Sequence, residues 1–190
     1  MPETMERPAI TLGMVDAWLA ASPDAALAVA VRSAPFLVGR RGYARDSMGV
    51  PGRNDRGIFD DAIVLLTGGR IAETFNANTD PSLARTGIAE LVPGVYTYTL
   101  GVHGLSKPVE RQYPALVQAA PVTITRDGGG RASGYFGINI HRGGVNETTS
   151  EGCQTIWRPQ WADFYARVKA AMDEASVTTI PYILTARADA

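Results

Sequence analysis

Residues 135–156 read YFGINIHRGGVNETTSEGCQTI and hold the only cysteine of the chain, Cys153, and one of its two histidines, His141. Phe136, Ile138 and Ile140 alternate with Tyr135, Gly137, Asn139 and His141, so period-two patterning predicts a strand that ends at His141. His141 then falls on the polar face, away from the face that makes the core. Gly143 and Gly144 open a loop too polar to be core, and that loop returns the chain to Cys153. A thiol attacks carbonyls as thiolate, and a nearby base generates the thiolate. One cysteine and one histidine joined in this way form a candidate nucleophile–base pair. In that pairing the imidazole is expected to lower the thiol pKa. The plainer alternative is a hydrogen-bonded structural histidine beside an inert, buried cysteine.

The run His141-Arg142-Gly143-Gly144, followed by Ser150-Glu151-Gly152-Cys153, resembles the signature of the YkuD-type L,D-transpeptidases. There a histidine at a strand end leads through a loop to a Ser/Thr-His-Gly-Cys segment. Glu151 stands where that motif has its second histidine, Gln154-Thr155 replaces its usual ending, and the intervening loop is shorter. The segments FNANTDP (75–81), GVHGLSKP (101–108) and GYFGINIHRGG (134–144) also resemble proteins encoded by phages and prophages. The resemblance implies a mainly β domain and acyl transfer or hydrolysis on peptidoglycan stem peptides through a Cys153 thioester. It implies His141 as base, oriented by a backbone carbonyl at Arg142 or Gly143. The N–H groups of Gly152 and Cys153 are the expected oxyanion hole. Substrate contacts are expected from Ser150, Asn139, His103, Gln154, Tyr96 and Arg56. The rival reading is a non-catalytic structural or wall-binding phage protein on the same fold.

The chain has 190 residues, 45% of them hydrophobic, and a net charge of −1. That length supports a sizeable core in one domain. Near-neutral charge argues against nucleic-acid binding, which draws on a basic surface. With one cysteine, no internal disulfide forms. No apolar run is long enough to span a membrane. The first thirty residues lack the basic start and apolar core of a secretory signal. A wall-directed protein of this kind is expected to act in the periplasm or cell wall after delivery by phage or a secretion system, with a delivery or immunity partner.

Apolar spacing predicts a helix over residues 10–21, and Ser22-Pro23 reads as the start of a short second helix over residues 25–32. Residues 1–34 are thus an expected helical segment ahead of a catalytic domain, 35–190. Strands are expected over 36–39, 62–67, 70–75, 94–102, 121–125 and 178–185, with Gly68-Gly69 as a hairpin turn. Pro181 suggests that the last strand is an edge or bulged. Residues 39–61 form a long loop with Arg40, Arg41, Arg45, Arg53 and Arg56, which suit substrate carboxylates. Pairing with Asp46, Asp55, Asp60 and Asp61 is the alternative. These acidic residues do not alternate as in a calcium loop, and no zinc spacing occurs, so no metal or other cofactor is expected. His103 closes the 94–102 strand as a second candidate base or a substrate contact. A helix after Pro159 carries Trp161, Phe164, Tyr165, Val168, Ala171, Met172 and Ala175 on one stripe. The fold expected is mainly β, a sandwich or partly open barrel, with helices at the start and near the end.

Overall fold

The computed structural model describes residues 4–22, 24, 34–44, 47–50 and 53–186. The expected helix over 25–32 and Arg45 lie outside these residues. Gly68 and Gly69 both take positive φ, 54° and 72°, the conformation a two-residue hairpin turn requires. They join β2 (Asp61–Thr67) to β3 (Arg70–Asn78). The other strands are β1 (Phe36–Arg41), β4 (Ala89–Leu91), β5 (Gly94–His103), β6 (Tyr113–Gln118), β7 (Val122–Arg126), β8 (Arg131–Gly134), β9 (Ile140–Arg142), β10 (Gln154–Ile156) and β11 (Thr179–Ala186).

Eight strands close into a barrel in the order β1-β11-β5-β6-β9-β10-β3-β2. The domain is therefore mainly β as expected, and its barrel is closed because β1 pairs with both β11 and β2. Closure removes exposed strand edges. Two pairs, β1/β11 and β9/β10, are parallel. The remaining strands, β4, β7 and β8, form a separate three-stranded sheet. β11 is internal and not an edge. Pro181 is accommodated because pairing with β1 begins one residue later, at Leu37 and Tyr182.

The barrel has two apolar layers. Leu37, Ile63, Leu65, Phe75, Tyr98, Leu116, Ile140, Ile156 and Tyr182 belong to the main core, together with Ala89, Leu91, Val122 and Ile124 from the small sheet. Phe164, Val168 and Met172 of α2 (Trp161–Glu174) join that core. Phe164 meets Phe75 edge-on, with centroids 5.0 Å apart. The alternate residues Phe36, Val38, Ala62, Val64, Leu66 and Ile183 face the other way, onto Val15 and Leu19 of α1 (Leu12–Ala20). The N-terminal helix is thus a cap on the outer barrel wall. Thr11 caps it by accepting from the Met14 N–H.

The arginine-rich stretch resolves differently from its expected role. Arg40 and Arg41 are the end of β1. Arg41 is buried; it donates to Glu90 Oε1 (2.8 Å), to the Leu91 carbonyl (3.0 Å) and to the Thr79 carbonyl. Arg56 pairs with Asp127 and Glu90, and Arg53 with Asp55. Arg41 and Arg56 thus fasten the barrel side to the small sheet through Glu90 and to Asp127, partners outside the stretch, and of the pairings expected within it the Arg53–Asp55 pair is formed. Buried ion pairs are costly to break from one side.

Truncation of Phe164 to Ala removes a fully buried ring from the main core. It is expected to lower unfolding stability by about 3–5 kcal/mol, read from urea denaturation. A loss below about 1 kcal/mol would show that α2 is not part of that core.

Candidate active site

The expected strand over 135–141 is shorter than its pattern implies, because β9 covers only Ile140–Arg142. Gly137 has φ 70°, which bends the approach out of strand geometry. Gln118 holds this approach in place of a ladder. Its Oε1 accepts from the N–H groups of Phe136 (3.1 Å) and Ile138 (3.3 Å), and its Nε2 donates to the carbonyls of Gly134 and Ala120. The segment held in this way lines a cleft of about 970 Å³. His103, Asn139, His141, Glu151 and Cys153 are in its wall.

Parallel pairing places the candidate groups. Gln154 registers with Ile140 and Thr155 with His141, so Asn139 and Cys153 lie side by side just ahead of the two strands. The Asn139 N–H donates to Cys153 Sγ at 3.4 Å, and the thiol donates to the Gly137 carbonyl at 3.4 Å. One ring nitrogen of His103, one of His141 and Cys153 Sγ all lie within 4.8 Å of one another. The two imidazoles stack, with centroids 4.1 Å apart and planes 27° apart.

Hydrogen bonding sets the tautomers. His141 Nδ1 lies 2.8 Å from the Arg142 carbonyl, which can only accept, so Nδ1 carries the proton and Nε2 keeps a lone pair. The Tyr113 hydroxyl is 3.1 Å from the same Nδ1. The Arg142 guanidinium covers the Tyr113 ring at 4.0 Å and fixes it. Asn139 Oδ1 accepts from the Gln118 N–H (3.3 Å), which turns Asn139 Nδ2 toward His103 Nδ1 (3.1 Å). His103 Nδ1 is therefore an acceptor, and its proton sits on Nε2. Two neighbouring imidazoles end with opposite tautomers, one a base and one a donor.

Burial first, and then the neighbouring His103, push His141 down to about 3. Burial also lowers His103 and raises Cys153 to about 11, against the Asn139 N–H that favours thiolate. Cys153 is only partly covered, so the sulfur is reachable while its ionised form is poorly solvated. The expected lowered thiol pKa is therefore reversed, and the resting pair is a neutral thiol beside a neutral imidazole.

The loop that carries Cys153 is braced by its own polar residues. Ser150 Oγ donates to the Cys153 carbonyl (2.6 Å) and accepts from the Gly152 N–H (3.0 Å). Ser150 thus shapes the loop and does not face substrate, and the Gly152 N–H is already used. The Cys153 N–H has no partner among the described residues and is the available oxyanion donor. Gly152 has φ 127°, and a Cβ there would stand 2.7 Å from the Ala89 carbonyl, so only glycine fits. Gly143 is a packing position: its N–H donates to the Ile156 carbonyl (2.8 Å), and a Cβ would meet the Phe59 ring.

Three further expected contacts lie away from the cleft. Gln154 is buried; its Oε1 accepts from the Tyr182 hydroxyl and its Nε2 donates to the Gly152 carbonyl. Tyr96 donates its hydroxyl to the Val92 carbonyl at 2.6 Å. Arg56 is occupied by Asp127 and Glu90, and the arginine stretch contributes no described residue to the cleft wall. Glu151, exposed on the rim, pairs with Arg85 at 2.9 Å. Sequence reading missed Tyr113 and Gln118 because Pro114 hid β6. The signal available was a lone glutamine closing an apolar run, Tyr113–Gln118.

His103, His141 and Cys153 are also a ligand set suited to a thiophilic ion such as zinc. An ion there would occupy the thiol and the lone pair of His141.

Two outcomes follow from this geometry. Alkylation of Cys153 by iodoacetamide should climb about tenfold per pH unit from 7 to 10, as thiolate rises toward its raised pKa. A plateau below pH 8 would show a thiolate already formed at neutral pH. Gly152→Ala should slow the same alkylation or lower the melting temperature, because the Ala89 carbonyl blocks a side chain; a variant matching wild type in both would remove the steric argument.

No known protein family, characterised protein or solved structure matches this chain, so the chemistry of the site is argued from its own geometry.

Proposed function

We propose that the protein is a cysteine-dependent acyltransferase or peptidase acting on peptidoglycan stem peptides. The observation that carries the reading is the accessible Cys153 sulfur beside a buried His141 whose Nδ1 is tied to the Arg142 carbonyl. This arrangement fits the nucleophile, base and orienting group of acyl transfer. The substrate class comes from the resemblance to L,D-transpeptidases, whose orienting carbonyl corresponds to that of Arg142. The second histidine of that motif is absent at Glu151, yet His103 brings a second imidazole to the site from β5.

In the first step Cys153 Sγ bonds to the peptide carbonyl carbon as its proton passes to His141 Nε2. The carbonyl oxygen accepts from the Cys153 N–H. The C–N bond then breaks, and His141 returns the proton to the leaving amine, leaving a thioester. Water or a second stem amine then attacks the thioester and gives its proton to His141 Nε2; the C–S bond breaks, and His141 passes that proton to sulfur to restore the thiol. Sulfur and imidazole stand within reach but out of hydrogen-bond contact; catalytic contacts of this kind tighten on substrate binding. The His103 Nε2–H is a donor for a substrate oxygen. Lys107 in the cleft wall takes the carboxylate-binding role first expected of Arg56. The protein is proposed to work at the cell wall after delivery. No helix among the described residues is long and apolar enough to cross a membrane.

Purified muropeptides incubated with the protein and read by mass spectrometry test the reading. Cys153→Ala should abolish turnover, and His141→Ala should lower it on the order of a hundredfold or more. His103→Ala should cost less and act mainly on KM. Wild-type turnover from Cys153→Ala would sink the assignment. A worse defect in His103→Ala than in His141→Ala would move the base to His103.

A further inference from the structure

Among the described residues, the buried side-chain oxygens without a partner include Oδ1 of Asn54, Asp60, Asn78 and Asp80. Asp60, Asn78 and Asp80 are fully shielded from solvent. The four form one neighbourhood. Asn54 Nδ2 donates to Asp80 Oδ2 at 2.9 Å, and the next N–H along, that of Asp55, donates to Asp60 Oδ2 at 2.7 Å. Asn78 Nδ2 donates to the Asp80 carbonyl. One dipeptide therefore holds both carboxylates by Oδ2 and leaves each Oδ1 bare.

Asp61, next in sequence, shows the contrast. Its two oxygens accept from the Gly42 N–H (2.6 Å), the Thr79 N–H (2.7 Å) and the Thr79 hydroxyl (2.8 Å). Asp61 is satisfied by protein donors, whereas Asp60 and Asp80 have no ion-pair partner among the described residues. A buried, unpaired carboxylate oxygen is strongly unfavourable. Four buried oxygens left without donors call for a ligand that accepts their lone pairs.

We propose that Asn54, Asp60, Asn78 and Asp80 form a binding site for a calcium ion. The donors are all hard oxygens, with no nitrogen or sulfur, which excludes thiophilic metals. Two carboxylates match the charge of a divalent cation, and the two amide oxygens add neutral donors of the kind calcium accepts. Magnesium keeps several waters and demands a strict octahedron, a poor match to a shielded pocket. The ligands come from two separate segments, so they do not show the alternating acidic spacing of a continuous calcium loop.

The site would brace the nucleophile loop. Two residues beyond Asp80, the Ser82 N–H donates to the Ser150 carbonyl (2.8 Å), Ser82 Oγ accepts from the Ser150 N–H (2.6 Å), and the Ser82 and Thr148 hydroxyls are 2.5 Å apart. The proposal stands independently of the cysteine chemistry.

The test uses the full chain, stripped with a chelator and titrated with calcium chloride at pH 7.5 by calorimetry and thermal unfolding. One site per chain is expected, with a melting temperature that rises with calcium and far less with equal magnesium. Asp80→Asn should weaken binding about tenfold or more. Asn54→Ala, on a partly exposed segment, should also weaken it and serves if Asp80→Asn does not fold. Identical melting in calcium and in chelator, with no binding heat, would overturn the site and leave protons to settle the two carboxyls. Wild-type affinity in Asn54→Ala or in a folded Asp80→Asn would overturn the ligand assignment.

Discussion

The parallel pairing of β9 with β10 is the constraint on which the site depends. Register between Gln154 and Ile140 forces Asn139 and Cys153 to be neighbours and sets His141 one residue further along. Parallel partners need a crossover, usually a helix. Here residues 143–153 cross as a polar loop instead. A loop has no ladder to satisfy its backbone, so Ser150 and Ser82 supply the missing partners. The positive φ of Gly152 turns the chain into β10 at the point where a side chain would strike Ala89. Cys153 is thus held by backbone geometry on both sides, and its side chain is in the cleft wall.

Charge is arranged to keep the cleft nearly neutral. The arginines that composition suggested for substrate binding lie elsewhere, where Arg41 and Arg56 converge on Glu90. That junction ties β1 to β4 and secures the small sheet, which contributes Ala89 beneath Gly152. Scaffold and site are coupled through this contact. The charge pairs orient the sheet, and the sheet backs the nucleophile loop.

The legible parts of the chain were those with strong local rules. Gly68-Gly69 specifies its own turn, and the stripe on α2 repeats at helical spacing, so both emerged from patterning alone. The segment 135–156 announced its chemistry because cysteine and histidine are rare here. Barrel closure was not legible, since the β1/β11 pairing joins opposite ends of the chain. Arg56 and Gln154 misled for a related reason: a polar side chain near a motif looks available until its distant partners, Asp127 and Tyr182, are known. The alternation held as a burial pattern from 135 to 140 and failed at His141, which is buried beside Ile140, and Gly137 and the Gln118 side chain replace the strand pairing it suggested. The Asp60 and Asp80 pocket was hidden because its members are separated in sequence and only folding removes them from water.

In the proposed acyl transfer, the stacked histidines give a neutral pair a route to proton transfer. A thiol held near 11 and an imidazole held near 3 do not exchange a proton at rest, because the ion pair is too poorly solvated. Proton transfer then has to coincide with carbon–sulfur bond formation, when negative charge moves from sulfur to the carbonyl oxygen beside the Cys153 N–H. Once protonated, His141 faces His103 at stacking distance and is a strong acid. It gives its proton readily to the leaving amine, which must be protonated for the C–N bond to break. Burial that disfavours a resting thiolate therefore favours collapse toward the thioester. The free thiol is at the same time protected from adventitious oxidation, which follows thiolate character. In this arrangement reactivity is conferred by a bound carbonyl and not by the empty site.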